Sequence, residues 1–211
     1  MVRRDEVLPF LRKVKAELET LNRLKIKVGI QGDADSDILV IARVHEYGAT
    51  ITAKSAKNLC IPIHRDSYGK SPRDFPDLFF IRSEVGHLFG VVEKKRGRKD
   101  DKLKFLFLLL PSVTIPERSF IRAGFDHNKN ALAEIVQQEV SEIIQGCTTA
   151  REAAEWIGGK AVDLIREYMM TASNFKPKGK IQRERYPSWA DNPLVVTGRL
   201  RNSITYKVEE D

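Results

Sequence analysis

The sequence predicts an α+β protein: an antiparallel β-sheet, a meander with hairpins, packed by an N-terminal helix and two longer helices in the C-terminal half. Three observations carry this. Apolar residues recur at steps of three and four near the N-terminus, and again in two stretches beyond residue 130. From about residue 50 to 115 the pattern is strand-like and punctuated by turns. Within that region "LFFIRS", "GHLFGVVEKK" and "LKFLFLLLPSVTI" follow one another closely enough to pair antiparallel.

Taken in order, Val7, Leu11, Val14, Leu18 and Leu21 form one helical stripe, and Pro9 falls in the first turn, where a missing N–H is tolerated. "LKIKVGIQGD" changes the period to two: Leu24, Ile26 and Val28 face one way, Lys25 and Lys27 the other. Asp35 or Ser36 can cap a short helix through Ile38, Ala42 and Val44, and Gly48 suits its left-handed end. "NLCIPI" is the first strand of the extended region 54–113, with reversals at Glu84–Gly86 and 97–101. "FLFLLL" is too continuous for a strand with one wet face, so it needs cover on both sides or a partner chain. Pro116 reads as a first-turn residue of the next helix, whose face is Leu132, Ile135, Val136, Val140, Ile143 and Ile144 up to Gly146. Thr149 and Glu152 fit a reciprocal capping box opening a helix through Ala153, Ile157, Ala161, Leu164, Ile165 and Tyr168. Residues 172–193 are polar, basic and without period, hence a long loop, and a turn from Thr197 leads into a last strand with Ile204, Tyr206 and Val208. The whole of 1–211 reads as a single domain.

Hydrophobic content of 42% and charged content of 31% fit an ordered, soluble chain. No apolar stretch follows the basic N-terminus, so no signal peptide is expected, and the longest apolar run, 105–110, is far short of a membrane span. Cys60 and Cys147 are isolated and read as buried small hydrophobes in a reducing compartment. The net charge of +7 is concentrated: 94–104 carries +5 and 176–185 carries +4, leaving −2 for the rest. Lys94, Lys95, Arg96, Arg98 and Lys99 in the first cluster, and Lys178, Lys180, Arg183 and Arg185 in the second, read as solvated loop charge available to partners, including non-specific contact with DNA.

"VHEYGATIT" at 44–52 has the look of an active site, with His45 beside Glu46. It is not the zinc motif HExxH, since Ala49 stands where the second histidine should be. His64, His87 and His127 lie in other elements, without a cysteine or carboxylate at ligand spacing. There is no Walker loop, no GxSxG elbow and no GxGxxG after a strand. No catalytic residue, cofactor or metal is therefore assigned. Physically the stretch is a helix end: Val44 and Tyr47 pair at i,i+3, His45 suits the C-terminal dipole, and Gly48 turns the chain.

The ordered set "VGI", "IARVHEYGATI", "TIPERSFIR" and "LVVTGRLRNSITYKV" resembles the tailed-bacteriophage virion-morphogenesis proteins, the tail-completion, neck or minor tail proteins of phages and prophages. Ala42, His45, Glu46, Tyr47 and Gly48 match the family's second element; Ile115, Pro116, Arg118 and Phe120 match the third; Leu194, Thr197, Gly198, Leu200, Ser203 and Ile204 match the fourth. The chain departs at Ser119, where the family often has proline, and across 54–113. The resemblance implies a non-catalytic structural protein that forms a ring, in many members a hexamer, at the neck or head-proximal tail end. There it would complete the tail or join it to the head, with other neck and tail proteins as partners and no membrane. It would be found in the host cytoplasm during assembly and then in the virion. A DNA-binding or packaging accessory protein, and a small metal-dependent hydrolase or nuclease, are the alternatives.

Overall fold

The computed structural model describes residues 4–32, 34–94, 102–189 and 191–210. In chain order the elements are α1 (Arg4–Arg23), β1 (Leu24–Ile30), α2 (Ser36–Tyr47), β2 (Ala49–Thr52), β3 (Leu59–Pro62), β4 (Phe79–Arg82), β5 (Leu88–Glu93), β6 (Leu103–Leu110), β7 (Ser112–Ile115), α3 (Arg122–His127), α4 (Lys129–Gln145), α5 (Ala150–Met170), α6 (Lys180–Arg185), α7 (Arg199–Asn202) and β8 (Ile204–Glu210). The mixture is α+β, and every strand pairing is antiparallel. Where the sequence reads as a single domain, contacts divide the chain into two compact units: Met1–Tyr47 with Glu117–Lys178 and Asp191–Asp211, and Gly48–Pro116 with Gly179–Ala190.

The first unit is built on α5. Its small residues Ala150, Ala153, Ala154 and Ala161 are buried together with Ile157, Val162 and Ile165, so neighbours approach its backbone closely. The closest approach is at Gly158, where an added Cβ would lie 2.4 Å from the Tyr206 ring. The two-stranded ladder of β1 and β8 runs from Leu24↔Glu210 to Ile30↔Ile204. The capping box is present as read: Thr149 Oγ1 accepts from the Glu152 N–H, and the Glu152 carboxylate accepts from the Thr149 N–H. Several expectations need correction. Pro9 lies inside α1, beyond its first turn. The stripe of α1 is buried only at Val14, while Val7 and Leu11 are exposed; on α4, Val136 and Ile144 are likewise exposed. Pro116 opens no helix. It follows the last residue of β7, and helical structure resumes only at Arg122.

The second unit holds a four-stranded sheet in the order β3-β6-β5-β4, with β2 paired to β7 separately. The meander β4-β5-β6 forms as expected, with the reversal after β4 made by Gly86 at φ 86°. The run "FLFLLL" is resolved by a β-bulge. Gly90 pairs with Phe107 and Val91 with Phe105, so Leu106 is the extra residue. Leu106 and Phe107 are therefore both buried although adjacent, while Phe105 is 42% exposed.

Residues 172–193 are not an unstructured loop. They contain single turns at Ala172–Asn174 and Pro187–Trp189 and the helix α6, all too short to leave a period in the sequence. The cysteines also differ from expectation: Cys60 is half-buried and Cys147 exposed. Among the described residues no helix is long and apolar enough to cross a membrane.

Candidate functional site

Helix α2 buries Ile38, Ala42 and Glu46, spaced four apart, so a carboxylate occupies the third position of an otherwise apolar stripe. A charge at such a place is tolerable only when its lone pairs are filled by donors. Glu46 is 5% exposed. Its Oε2 accepts the N–H groups of Phe120 (2.8 Å) and Ile121 (3.0 Å). Its Oε1 accepts the Ser119 hydroxyl (2.7 Å), the Arg122 N–H (3.0 Å) and Arg122 Nε (3.0 Å). The amides at the start of α3 lack partners within their own helix, and Glu46 supplies them from across the unit. Burial alone would raise the Glu46 pKa. The hydrogen bonds from Ile121, Arg122 and Ser119 outweigh it and hold the carboxyl below the usual range.

Arg122 extends the arrangement. One Nη donates to the Glu46 carbonyl (2.8 Å) and to Glu117 Oε1 (2.8 Å), and the guanidinium carbon lies 4.5 Å from the centre of the exposed Tyr47 ring.

His45 contributes its backbone: its carbonyl accepts the Arg118 N–H at 2.7 Å. Its Nδ1 is buried without a hydrogen-bond partner. Burial, and then the charge of Arg118, push its pKa down to about 4, so the ring is neutral. Arg118 is itself 5% exposed, donating Nε to the Lys176 carbonyl (2.7 Å) and Nη2 to the Pro177 carbonyl (2.9 Å). Lys178, read from sequence as solvated loop charge, is 2% exposed and donates Nζ to the Val195 carbonyl at 3.0 Å. Asn192 fastens the same region: its Oδ1 accepts the N–H groups of Leu194 and Val195, and its Nδ2 donates to the Met170 carbonyl.

Of the residues singled out in the sequence, His45, Glu46, Arg118 and Phe120 thus meet directly. Phe120 and Leu200 lie in one core cluster with Ile38 and Ala42. Thr197 and Gly198 form the turn before α7, with Gly198 at φ 78° and Thr197 Oγ1 accepting from the Arg199 N–H. Pro116 and Gly48 belong to the second unit, Gly48 with φ 70° as the helix-end reading requires. So do Lys180 and Arg183, both exposed, and Arg185, whose guanidinium stacks on Tyr68 at 4.1 Å. Lys94 donates its N–H to the Lys102 carbonyl; Lys95, Arg96, Arg98 and Lys99 lie outside the described residues. Sequence reasoning missed Arg122 and Asn192. The available signal was Glu46 itself, an acid on an apolar stripe, which demands donors from elsewhere in the chain.

With both oxygens occupied and a lowered pKa, Glu46 is an anchored anion and a poor proton acceptor. Among the described residues no group of three or more His, Cys, Asp or Glu is placed to hold a metal ion. The first unit also carries an apolar groove of about 660 Å³ whose lining includes Ile26, Val28, Phe125, Leu132, Val136 and Ile157. No family model, curated protein or solved structure matches this chain.

Proposed function

We propose that the chain is a structural assembly protein of a tailed bacteriophage or prophage, acting in tail completion or head–tail joining as part of a ring at the neck. The observation that carries the proposal is that the motif residues, far apart in sequence, form one connected module. The "HEYG" carboxylate is clasped by "RSFIR", the His45 carbonyl takes the Arg118 N–H, and "TGRL" delivers Leu200 to the core cluster that holds Phe120. Four short motifs that meet in space and hold one another in place support the resemblance to the virion-morphogenesis proteins better than four scattered matches would. The anchoring role of Glu46 also explains why the residues most like an active site serve the fold instead. Neighbouring subunits would then meet the exposed charges and exposed apolar side chains.

Deleting the gene from an inducible prophage tests this. The expected particles, in negative-stain micrographs, are filled heads and separate tails, or tails of abnormal length, with joined particles restored by the wild-type gene in trans. Normal, infectious particles from the deletion strain would overturn the assembly role.

A further inference from the structure

Among the described residues of the second unit, the four-stranded sheet ends in two edge strands, β3 and β4, and they differ in what they offer. On β4 the Ser83 N–H donates to the His87 carbonyl, and the pairing Phe79↔Val91, Ile81↔Phe89 continues that register. In an antiparallel ladder hydrogen-bonded residues alternate, so Phe79 and Ile81 point their backbone groups at β5, while those of Phe80 and Arg82 point outward. On β3 the Ile63 N–H donates to the Leu106 carbonyl, which turns Cys60 and Pro62 outward by the same alternation. Proline has no N–H to offer, so β3 carries one of the devices by which sheets block further pairing. β4 carries neither proline nor lysine and no bulge, and its Phe79 and Phe80 are 39% and 53% exposed.

We propose that β4 is a self-association edge, pairing antiparallel with β4 of a second copy of this chain about a two-fold axis at Ile81. This goes beyond the assembly role and does not rest on it. Only registers that bring outward-facing residues opposite one another form hydrogen bonds. Centring on Arg82 would set two arginines face to face, which repel, and centring on Phe80 would set Arg82 against Leu78, whose N–H already donates to the Phe75 carbonyl. Centring on Ile81 sets Phe80 of each copy against Arg82 of the other and satisfies all the outward N–H and C=O groups of both residues. Each guanidinium, whose Nη1 donates to the Gly86 carbonyl of its own hairpin at 3.1 Å, then lies beside an aromatic ring, a favourable contact between unlike groups. On the opposite face, Ile81 meets its own counterpart as a non-hydrogen-bonded pair, the closer of the two antiparallel spacings. There it extends a row already present in one copy, Ile61–Leu108–Phe89–Ile81, all half-buried and apolar. The paired sheets form one eight-stranded sheet with the proline-bearing β3 strands at its two ends, so pairing through sheet edges stops at two copies.

The test uses the full chain with Cys60→Ala and Cys147→Ser, its mass followed by sedimentation over a concentration series, and cross-linking with copper–phenanthroline as oxidant. Monomer passing to dimer is expected. Phe80→Pro removes an outward N–H and leaves the bonds to β5 intact, so it should keep the parent's circular dichroism and melting temperature while its dimer dissociation constant rises at least tenfold. Ile81→Cys should yield a covalent dimer rapidly, because the two sulfur-bearing residues face each other across the axis; Phe79→Cys, facing Ser83 of the other copy, should not. A chain that stays monomeric at several hundred micromolar would overturn the proposal. So would a folded Phe80→Pro protein that dimerises like the parent, or equal cross-linking at positions 79 and 81.

Discussion

Arg122 holds Glu46 at three points: its backbone N–H and its Nε reach the carboxylate, and an Nη reaches the Glu46 carbonyl. One residue thus satisfies both the end of α2 and the side chain that α2 buries. Losing the carboxylate strands the amides of Phe120 and Ile121 as well as Ser119 and Arg122. Glu46→Gln, which turns an amide NH₂ toward these donors, is expected to cost about 2–4 kcal/mol. Glu46→Ala should cost as much or more. Urea unfolding with an unchanged denaturant slope checks both.

The same carboxylate makes stability depend on acid. Its pKa is lowered in the folded protein, so its contribution is complete above the unfolded value of about 4.5 and is lost as pH falls through the folded value. Glu46→Gln should therefore be less stable than the parent at neutral pH and lose less on acidification, with the two curves converging at low pH in thermal melts.

His45 acts in a higher window. Folded, it resists protonation down to about pH 4, whereas the unfolded chain takes up the proton near 6.5. The unfolded state binds more protons between those values, so stability declines as pH falls from 6.5 toward 4. His45→Gln should remove this slope above pH 5 relative to the parent. Melting temperatures at half-unit intervals would show it, and parallel curves would contradict it.

The Arg118 guanidinium ties down two carbonyls of its own unit, those of Lys176 and Pro177. Arg118→Glu is expected to cost about 3 kcal/mol or more, since it buries an acid against carbonyl oxygens. Arg118→Lys, able to reach one carbonyl, should cost about 1–2 kcal/mol. Soluble yield and melting temperature separate them. A fully stable Arg118→Glu protein would show that the burial is not maintained in solution.

Gly158 sits in mid-helix, where alanine is ordinarily favoured by about 1 kcal/mol. Here the Tyr206 ring occupies the space a methyl group needs, and the Tyr206 hydroxyl is engaged by Glu155. Gly158→Ala should therefore destabilise by about 1–3 kcal/mol. The cost should shrink or change sign in a Tyr206→Ala background, which a double-mutant cycle measures.

Much of this was legible because it is periodic. The face of α5, the alternation of β1 and β8, and the Thr149–Glu152 box each declare themselves within one segment. The Glu46 cluster does not, because its donors lie more than seventy residues downstream and are mostly backbone groups, which every residue possesses. The bulge at Leu106 was hidden for a related reason: two adjacent buried side chains look like a helix or a fully covered strand until the partner strand is known. In 172–193 the buried residues Phe175, Lys178, Asn192 and Pro193 follow no spacing, since each is fixed by what it meets rather than by a repeating turn.

The segment 48–116 leaves the first unit after Tyr47 and returns at Glu117. The first unit itself holds those two ends together, through the Arg118 N–H on the His45 carbonyl and the grip of 119–122 on Glu46. Closing a long excursion costs little more than closing a short one, because the entropy grows only with the logarithm of length. What lies between the two ends can therefore change in length at little cost to the closure of the first unit. The clasp that brackets it cannot change in the same way.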